Sequence, residues 1–164
     1  MSAEGVVGGS CACGAIEFVV ILPVKWCTHC HCIACRRQHG APIVTWFGVD
    51  REKFKLAGRE HLKWYICSED AKRGFCTNCG TPLFFMSTRW PDEVHVTRVS
   101  LNSKVDITPH HHIHFDQHVT WFPFQDSLPR LGGKDGLEPM DRLTPPPECS
   151  PHTPTLPAPR SRKR

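Results

Sequence analysis

Long apolar runs are missing from this chain. No stretch of its 164 residues supplies the ~20 consecutive apolar positions of a membrane-spanning helix. Met1–Ser10 lacks the basic region followed by an apolar core that marks a secretory leader. The expectation is a protein of a reducing compartment, the cytosol, with no membrane partner. Sustained helical periodicity is also absent, so no long amphipathic helix is predicted. No internal repeat is present, and the length suits one domain. Charge of one sign is scarce: residues 1–129 carry 13 Lys and Arg against 12 Asp and Glu. Most of the formal net charge of +4 therefore lies in a tail ending Arg160-Ser-Arg-Lys-Arg164. Such a distribution suits a solvated terminus better than a nucleic-acid footprint.

What the chain has in quantity is cysteine, ten in all, nine of them before residue 80. The stretch Cys27-Thr-His-Cys-His-Cys-Ile-Ala-Cys35 alone places four thiols and two imidazoles in nine residues. Cys11-Ala-Cys13 lies upstream and Cys76-Thr-Asn-Cys79 downstream. Cysteines one or two residues apart strain a disulfide but converge readily on a small soft cation, for which zinc is the usual occupant. A metal-organised fold is expected in place of a disulfide framework.

Between the cysteines the pattern is that of strands. Ile16, Phe18, Val20 and Leu22 share one parity, and β-prone runs follow at 24–26, 43–49, 54–56, 62–67, 83–86, 94–99 and 110–115. The fold class expected is all-β, built from many short strands. From Pro129 onward the chain holds nine of its fifteen prolines and few apolar clusters, so the folded unit is placed at residues 5–129 and a Pro-rich basic disordered tail at 130–164. Cys149 in that tail reads as an uninvolved thiol.

Cys11, Cys13, Cys76 and Cys79 make a four-thiolate set, the usual donor set of a closed structural zinc, here tying together the ends of a long chain segment. Gly80 follows the second pair, as a knuckle turn requires. Cys30, Cys32 and Cys35 supply three ligands from one turn and leave zinc one position short, which is how catalytic sites are arranged. Cys27, three residues before Cys30, is the alternative fourth ligand that would close this set.

The motifs Gly9-Ser-Cys-Ala-Cys-Gly-Ala, Cys30-His-Cys-Ile-Ala-Cys-Arg-Arg, Gly40-Ala-Pro, Arg73-Gly-Phe-Cys-Thr-Asn-Cys-Gly-Thr-Pro-Leu and Val99-Ser-Leu-Asn occur in that order. In this combination the chain resembles the glutathione-dependent formaldehyde-activating enzyme family, which also contains centromere protein V. The resemblance covers about residues 8–129. It implies a β-tent fold and two zinc ions, a structural one on Cys11, Cys13, Cys76 and Cys79 and a catalytic one on Cys30, Cys32 and Cys35. It implies glutathione or another small thiol and an aldehyde as partners, and formation or cleavage of the carbon–sulfur bond of S-hydroxymethylglutathione. Cys27 has no counterpart in the family pattern.

Other residues are read beside these. His29 and His31 alternate with the thiols and are expected to point away from the metal. Arg36, Arg37 and His39 are candidates for the carboxylates of glutathione. His110, His112 and His114 could share one strand face, although a third metal site there is not expected. Trp46, Phe47, Trp64, Phe84 and Phe85 are assigned to the core, with Cys67 a small buried hydrophobe. Two other functions compete with a lyase: a non-catalytic zinc-stabilised binding module, of which a chromatin-associated one is a version, and a dithiol redox protein using Cys27 and Cys30.

Overall fold

A computed structural model describes residues 5–140. Cys149 and the basic terminus, on which the chromatin reading depended, lie outside the described residues. The chain order is β1 (Val6–Ser10), β2 (Glu17–Ile21), β3 (Trp26–Cys30), α1 (Ile33–His39), β4 (Val44–Asp50), β5 (Phe54–Ala57), β6 (Leu62–Ser68), β7 (Ala71–Cys76), β8 (Pro82–Ser87), β9 (Glu93–Thr97), β10 (His112–Ile113), β11 (Leu131–Gly132) and β12 (Glu138–Pro139). The all-β expectation holds, with one short helix inserted. Past Pro129, where the sequence pattern set the end of the folded unit, β11 and β12 form a hairpin.

Seven strands make one sheet in the order β10-β3-β4-β9-β8-β7-β6, antiparallel throughout except that β10 joins β3 in parallel. A second sheet, β1-β2-β5, is antiparallel. The parity of β2 works as expected: Phe18 and Val20 are buried, as are the flanking Ile16 and Leu22, while Glu17, Val19 and Ile21 are exposed. That apolar face packs on Phe47 and Val49 of β4, Leu83 and Phe84 of β8, and Val94 and Val96 of β9, which fills the space between the two sheets.

The large sheet is covered on its other face as well. Cys30, Cys35, Val44 and Trp46 form a second buried cluster there, flanked by Trp26, Phe85 and Ile113. Trp46 and Phe85 therefore leave the main core to which the sequence assigned them, because each alternates on its strand with a residue that does enter it, Phe47 and Phe84. Trp26 reaches across its neighbour strand at Gly48, its register partner. A Cβ on Gly48 would lie 2.3 Å from the indole.

α1 runs for seven residues. Cys32 caps its start by accepting the Cys35 N–H, and Gly40 ends it in the left-handed conformation, its N–H bonded to the Arg36 carbonyl. Among the described residues no helix is long and apolar enough to cross a membrane.

Candidate functional site

The first group of thiols joins the two sheets. Cys11 and Cys13 sit in the turn between β1 and β2, not along a strand, while Cys76 ends β7 and Cys79 lies in the turn before β8. The Cys11–Cys13 and Cys13–Cys76 sulfur pairs are 3.6 and 3.8 Å apart. All four Sγ atoms lie within 4.8 Å of one another. Thiolates arranged tetrahedrally about zinc at ~2.3 Å stand ~3.8 Å apart, so the donor set has the spacing such an ion needs. The Ile16 N–H reaches Cys11 Sγ at 3.3 Å, and the Gly80 N–H closes the second turn on the Cys76 carbonyl at 2.9 Å. The Thr81 hydroxyl, 3.0 Å from Cys79 Sγ, holds that thiol down at about 5.

The second group forms where β3 runs into α1. Cys30 ends the strand, Cys32 caps the helix and Cys35 is the helix residue turned inward. Cys30 and Cys35 sulfurs are 3.6 Å apart, and the Cys35 N–H donates to Cys32 Sγ at 3.2 Å. These three Sγ atoms also lie within 4.8 Å of one another, and three soft donors at this spacing could hold a zinc ion. Hydrogen bonds from Cys30 and Cys35 hold the Cys32 thiol well below its ordinary value, and Cys30, whose proton serves that bond, is pushed up.

Arg73, on β7, carries a buried guanidinium whose Nη1 and Nη2 lie 3.5 and 3.6 Å from Cys35 Sγ. The same group stacks over the Phe85 ring at 5.0 Å. A divalent ion with three thiolates leaves an excess negative charge, and Arg73 is placed to balance it.

Cys27 takes no part. Three residues from Cys30 on the same strand, it faces the other side of the sheet, joins the main core, and points its thiol at the Ile107 carbonyl, 3.8 Å away. Burial pushes that thiol up to about 11. It neither closes the second group nor pairs with Cys30 as a dithiol, because the sheet lies between them.

Above the second group opens a cavity of about 490 Å³. Cys30, Cys32 and Cys35 form its floor with Arg73, and Trp26, Trp46, Phe85 and Trp90 give it aromatic walls. Glu93 and His95 supply a polar wall, on which Glu93 is bonded to Lys25 at 2.7 Å and Trp26 Nε1 at 3.0 Å. His95 Nε2 is 3.3 Å from Glu93, and burial holds this imidazole down at about 4, neutral at ordinary pH. His114, Asp135 and Leu137 line the opposite edge.

The histidines beside the thiols serve a separate structure. His31 is fully buried, with Nε2 2.7 Å from His112 Nδ1, and His112 Nε2 in turn lies 3.0 Å from both oxygens of Asp126. His29 stacks on His112 and bonds Thr45 at 2.9 Å. His112 and His114 do not share a face, since His114 adopts φ 52° and turns the chain, while His110 stays exposed. Arg36 donates to the His31 carbonyl at 2.9 Å, and neither it nor Arg37 or His39 lines the cavity. Cys67 is only partly buried, its thiol 3.3 Å from the Ala71 carbonyl.

Sequence reasoning thus passed over Arg73, Trp26, Trp90, Glu93 and His95. Arg73 stood in the Arg73-Gly-Phe-Cys motif, and the others carried no local signal: the pairing of β3 with β4 and of β4 with β9 brings Trp26 beside the 90–95 stretch.

The family model described as glutathione-dependent formaldehyde-activating enzyme matches residues 6–117, a span that contains both groups of thiols. A Halomonas elongata protein named, provisionally, glutathione-dependent formaldehyde-activating enzyme is 29% identical over 121 residues, covering 69% of this chain and 77% of the relative. An uncharacterized lyase of Schizosaccharomyces pombe is 34% identical over 80 residues, 49% of this chain and 57% of that protein. Among solved structures, a Rhodobacter sphaeroides protein matches with a TM-score of 0.52 at 27% identity, over 60% of this chain and 91% of that one.

Proposed function

We propose that this chain, which belongs to the glutathione-dependent formaldehyde-activating enzyme family, is a zinc-dependent carbon–sulfur lyase acting in the cytosol on S-hydroxymethylglutathione or a related thiol adduct. The observation that carries this reading is the position of Cys30, Cys32 and Cys35: three thiols at zinc spacing, with no fourth protein ligand among the described residues, forming the floor of a cavity large enough for a small adduct. Cys11, Cys13, Cys76 and Cys79 would hold a second, structural zinc. The curated relatives named for formaldehyde activation and as a lyase support the same reaction class.

Bound at Cys30, Cys32 and Cys35, zinc supplies Lewis acidity and lowers the pKa of a thiol nearby. In the synthetic direction the thiol sulfur adds to the carbonyl carbon of formaldehyde, and the S–H proton ends on the new hydroxyl oxygen. In the lyase direction the carbon–sulfur bond breaks and the proton returns to sulfur. Trp26, Trp46, Phe85 and Trp90 hold the adduct and exclude water from it. Arg73 keeps the floor close to neutral, so an incoming thiolate meets less repulsion. His95, whose Nε2 lies 3.3 Å from Glu93 and which burial keeps neutral, is the imidazole of the cavity wall that would accept and return the proton.

The addition also occurs without a catalyst, so the test is a rate above that background. Cleavage of S-hydroxymethylglutathione, followed by trapping the released formaldehyde, is expected to be faster with the zinc-loaded protein than without it. Cys30→Ser is expected to return the rate to background. A wild-type rate equal to background, or a Cys30→Ser rate equal to wild type, would remove the lyase reading.

A further inference from the structure

The cavity over Cys30, Cys32 and Cys35 poses a charge problem. A glutathione adduct carries two carboxylates, yet among the described residues the one Arg or Lys in the cavity lining is Arg73, at the floor and already engaged with Cys35. The acids of the lining are Glu93 and Asp135. Glu93 is satisfied by Lys25 and Trp26. Asp135 is held by Arg89, whose Nη2 lies 3.3 Å from Oδ1. Arg89 is thus a cation at the cavity edge that could receive a carboxylate, and its guanidinium sits 5.2 Å over the ring of Trp90, itself a wall residue.

Asp135 reaches that edge from a later part of the chain. It stands in the turn of the β11–β12 hairpin, beyond the 6–117 span that the family model matches. The hairpin is pinned in place: the His112 N–H bonds the Pro129 carbonyl at 2.8 Å, and the His114 N–H bonds the Gly136 carbonyl at 3.0 Å. Gly136, at φ 73°, packs directly on the His114 imidazole, where a Cβ would come within 2.1 Å of Nδ1. Leu137 and Asp135 are thereby presented to the cavity as its outer edge.

Arg89 and Asp135 are both about half exposed, at 53% and 57% of their side-chain surface. An ion pair so wet contributes little and exchanges partners readily. We infer that Arg89 is the carboxylate anchor for the thiol substrate and that Asp135, carried in by the hairpin, competes for it and so weakens binding of anionic thiols. The inference rests on the lyase reading of the cavity and names the class of thiol it takes: one bearing a carboxylate remote from sulfur. On binding, a substrate carboxylate replaces Asp135 on the guanidinium, and the sulfur end reaches the floor.

The test is direct binding to the full zinc-loaded chain by calorimetry, with glutathione and cysteamine, an aminothiol that has no carboxylate. Arg89→Ala is expected to weaken glutathione binding about tenfold, the loss of one charge-assisted contact. Asp135→Asn is expected to tighten it about threefold, the release of an exposed competitor. Cysteamine, a cation, is expected to bind Arg89→Ala at least as well as wild type and to gain nothing from Asp135→Asn, which also reports that the cavity is intact. Equal glutathione affinity in wild type and Arg89→Ala would overturn the inference, as would a parallel loss of cysteamine. Cysteamine binding with no glutathione binding would overturn the anchor while leaving a thiol-adduct enzyme in place. Failure of both thiols to bind would remove the anchor and the lyase reading together.

Discussion

Cys27 and Cys30 stand three residues apart on one strand, and that odd spacing gives them opposite surroundings. Cys27 is a core side chain, 1% exposed among Phe47, Phe84 and Val96 neighbours, whereas Cys30 opens onto the cavity floor. Cys27→Ala is therefore expected to leave metal content unchanged and to lower stability by about 1 kcal/mol, the cost of a small void in the core, measurable by urea unfolding. Loss of a metal in this variant would show that Cys27 is a ligand after all.

His95 gives a second prediction at the same scale. Its folded pKa is depressed to about 4 by burial, below the ordinary value of 6.5, so the unfolded chain binds the extra proton first as pH falls. Its contribution to stability is present above pH ~6.5 and declines toward pH ~4. Between pH 7 and pH 5 that decline amounts to about 2 kcal/mol. His95→Gln should lose correspondingly less stability over the interval, and an unchanged pH profile would mean that the imidazole is not excluded from protonation.

At the level of elements, the segment from β3 through α1 builds the second site, and it was the part of the sequence least transparent to pattern reading. Alternation announced β2 and β6, and β-branched and aromatic residues announced β4, which is buried on both faces. β3 hid itself: its sequence, Trp26-Cys-Thr-His-Cys30, looks like a ligand loop, yet it pairs along its whole length with β4. Once it is a strand, parity separates Cys27 from Cys30 and sends His29 away from the thiols. α1 was invisible for another reason, since seven residues cannot display a helical period and the capping residue is a cysteine. The cavity walls could not be read at all, because Trp26, Trp90 and Phe85 meet only through the register of the large sheet. Gly48 tests that register. Gly48→Ala should force Trp26 off β4 and cost about 1–3 kcal/mol, with altered near-ultraviolet circular dichroism. A variant with unchanged melting and spectrum would contradict the packing of Trp26 on β4.

Across the whole molecule the two groups of thiols have different mechanical positions. The first links the β1–β2 turn of the small sheet to the β7–β8 turn of the large one, bridging the sandwich at one end, while the second lies on the outer face of the large sheet alone. An ion in the first position would contribute folding energy, because no preformed site exists in the unfolded chain. Cys76→Ser is expected to unfold the domain or leave it binding hydrophobic dyes, whereas Cys35→Ser is expected to keep the far-ultraviolet spectrum of the folded protein. The same spectrum in both variants would mean that the sheets hold together without the first ion. The ordered cysteine motifs point to both groups from the sequence alone, as a set of four and a set of three; what the sheet arrangement adds is that the four span the two sheets and the three floor a cavity.

Native mass spectrometry of the wild-type chain and of Cys30→Ser, each with and without glutathione, tests most directly whether the second thiol group is an open, substrate-binding zinc site. The prediction is two zinc ions and one bound glutathione for wild type, with one zinc ion and the glutathione lost together in Cys30→Ser. Two zinc ions retained in Cys30→Ser, or glutathione binding that survives the loss of the second ion, would contradict it.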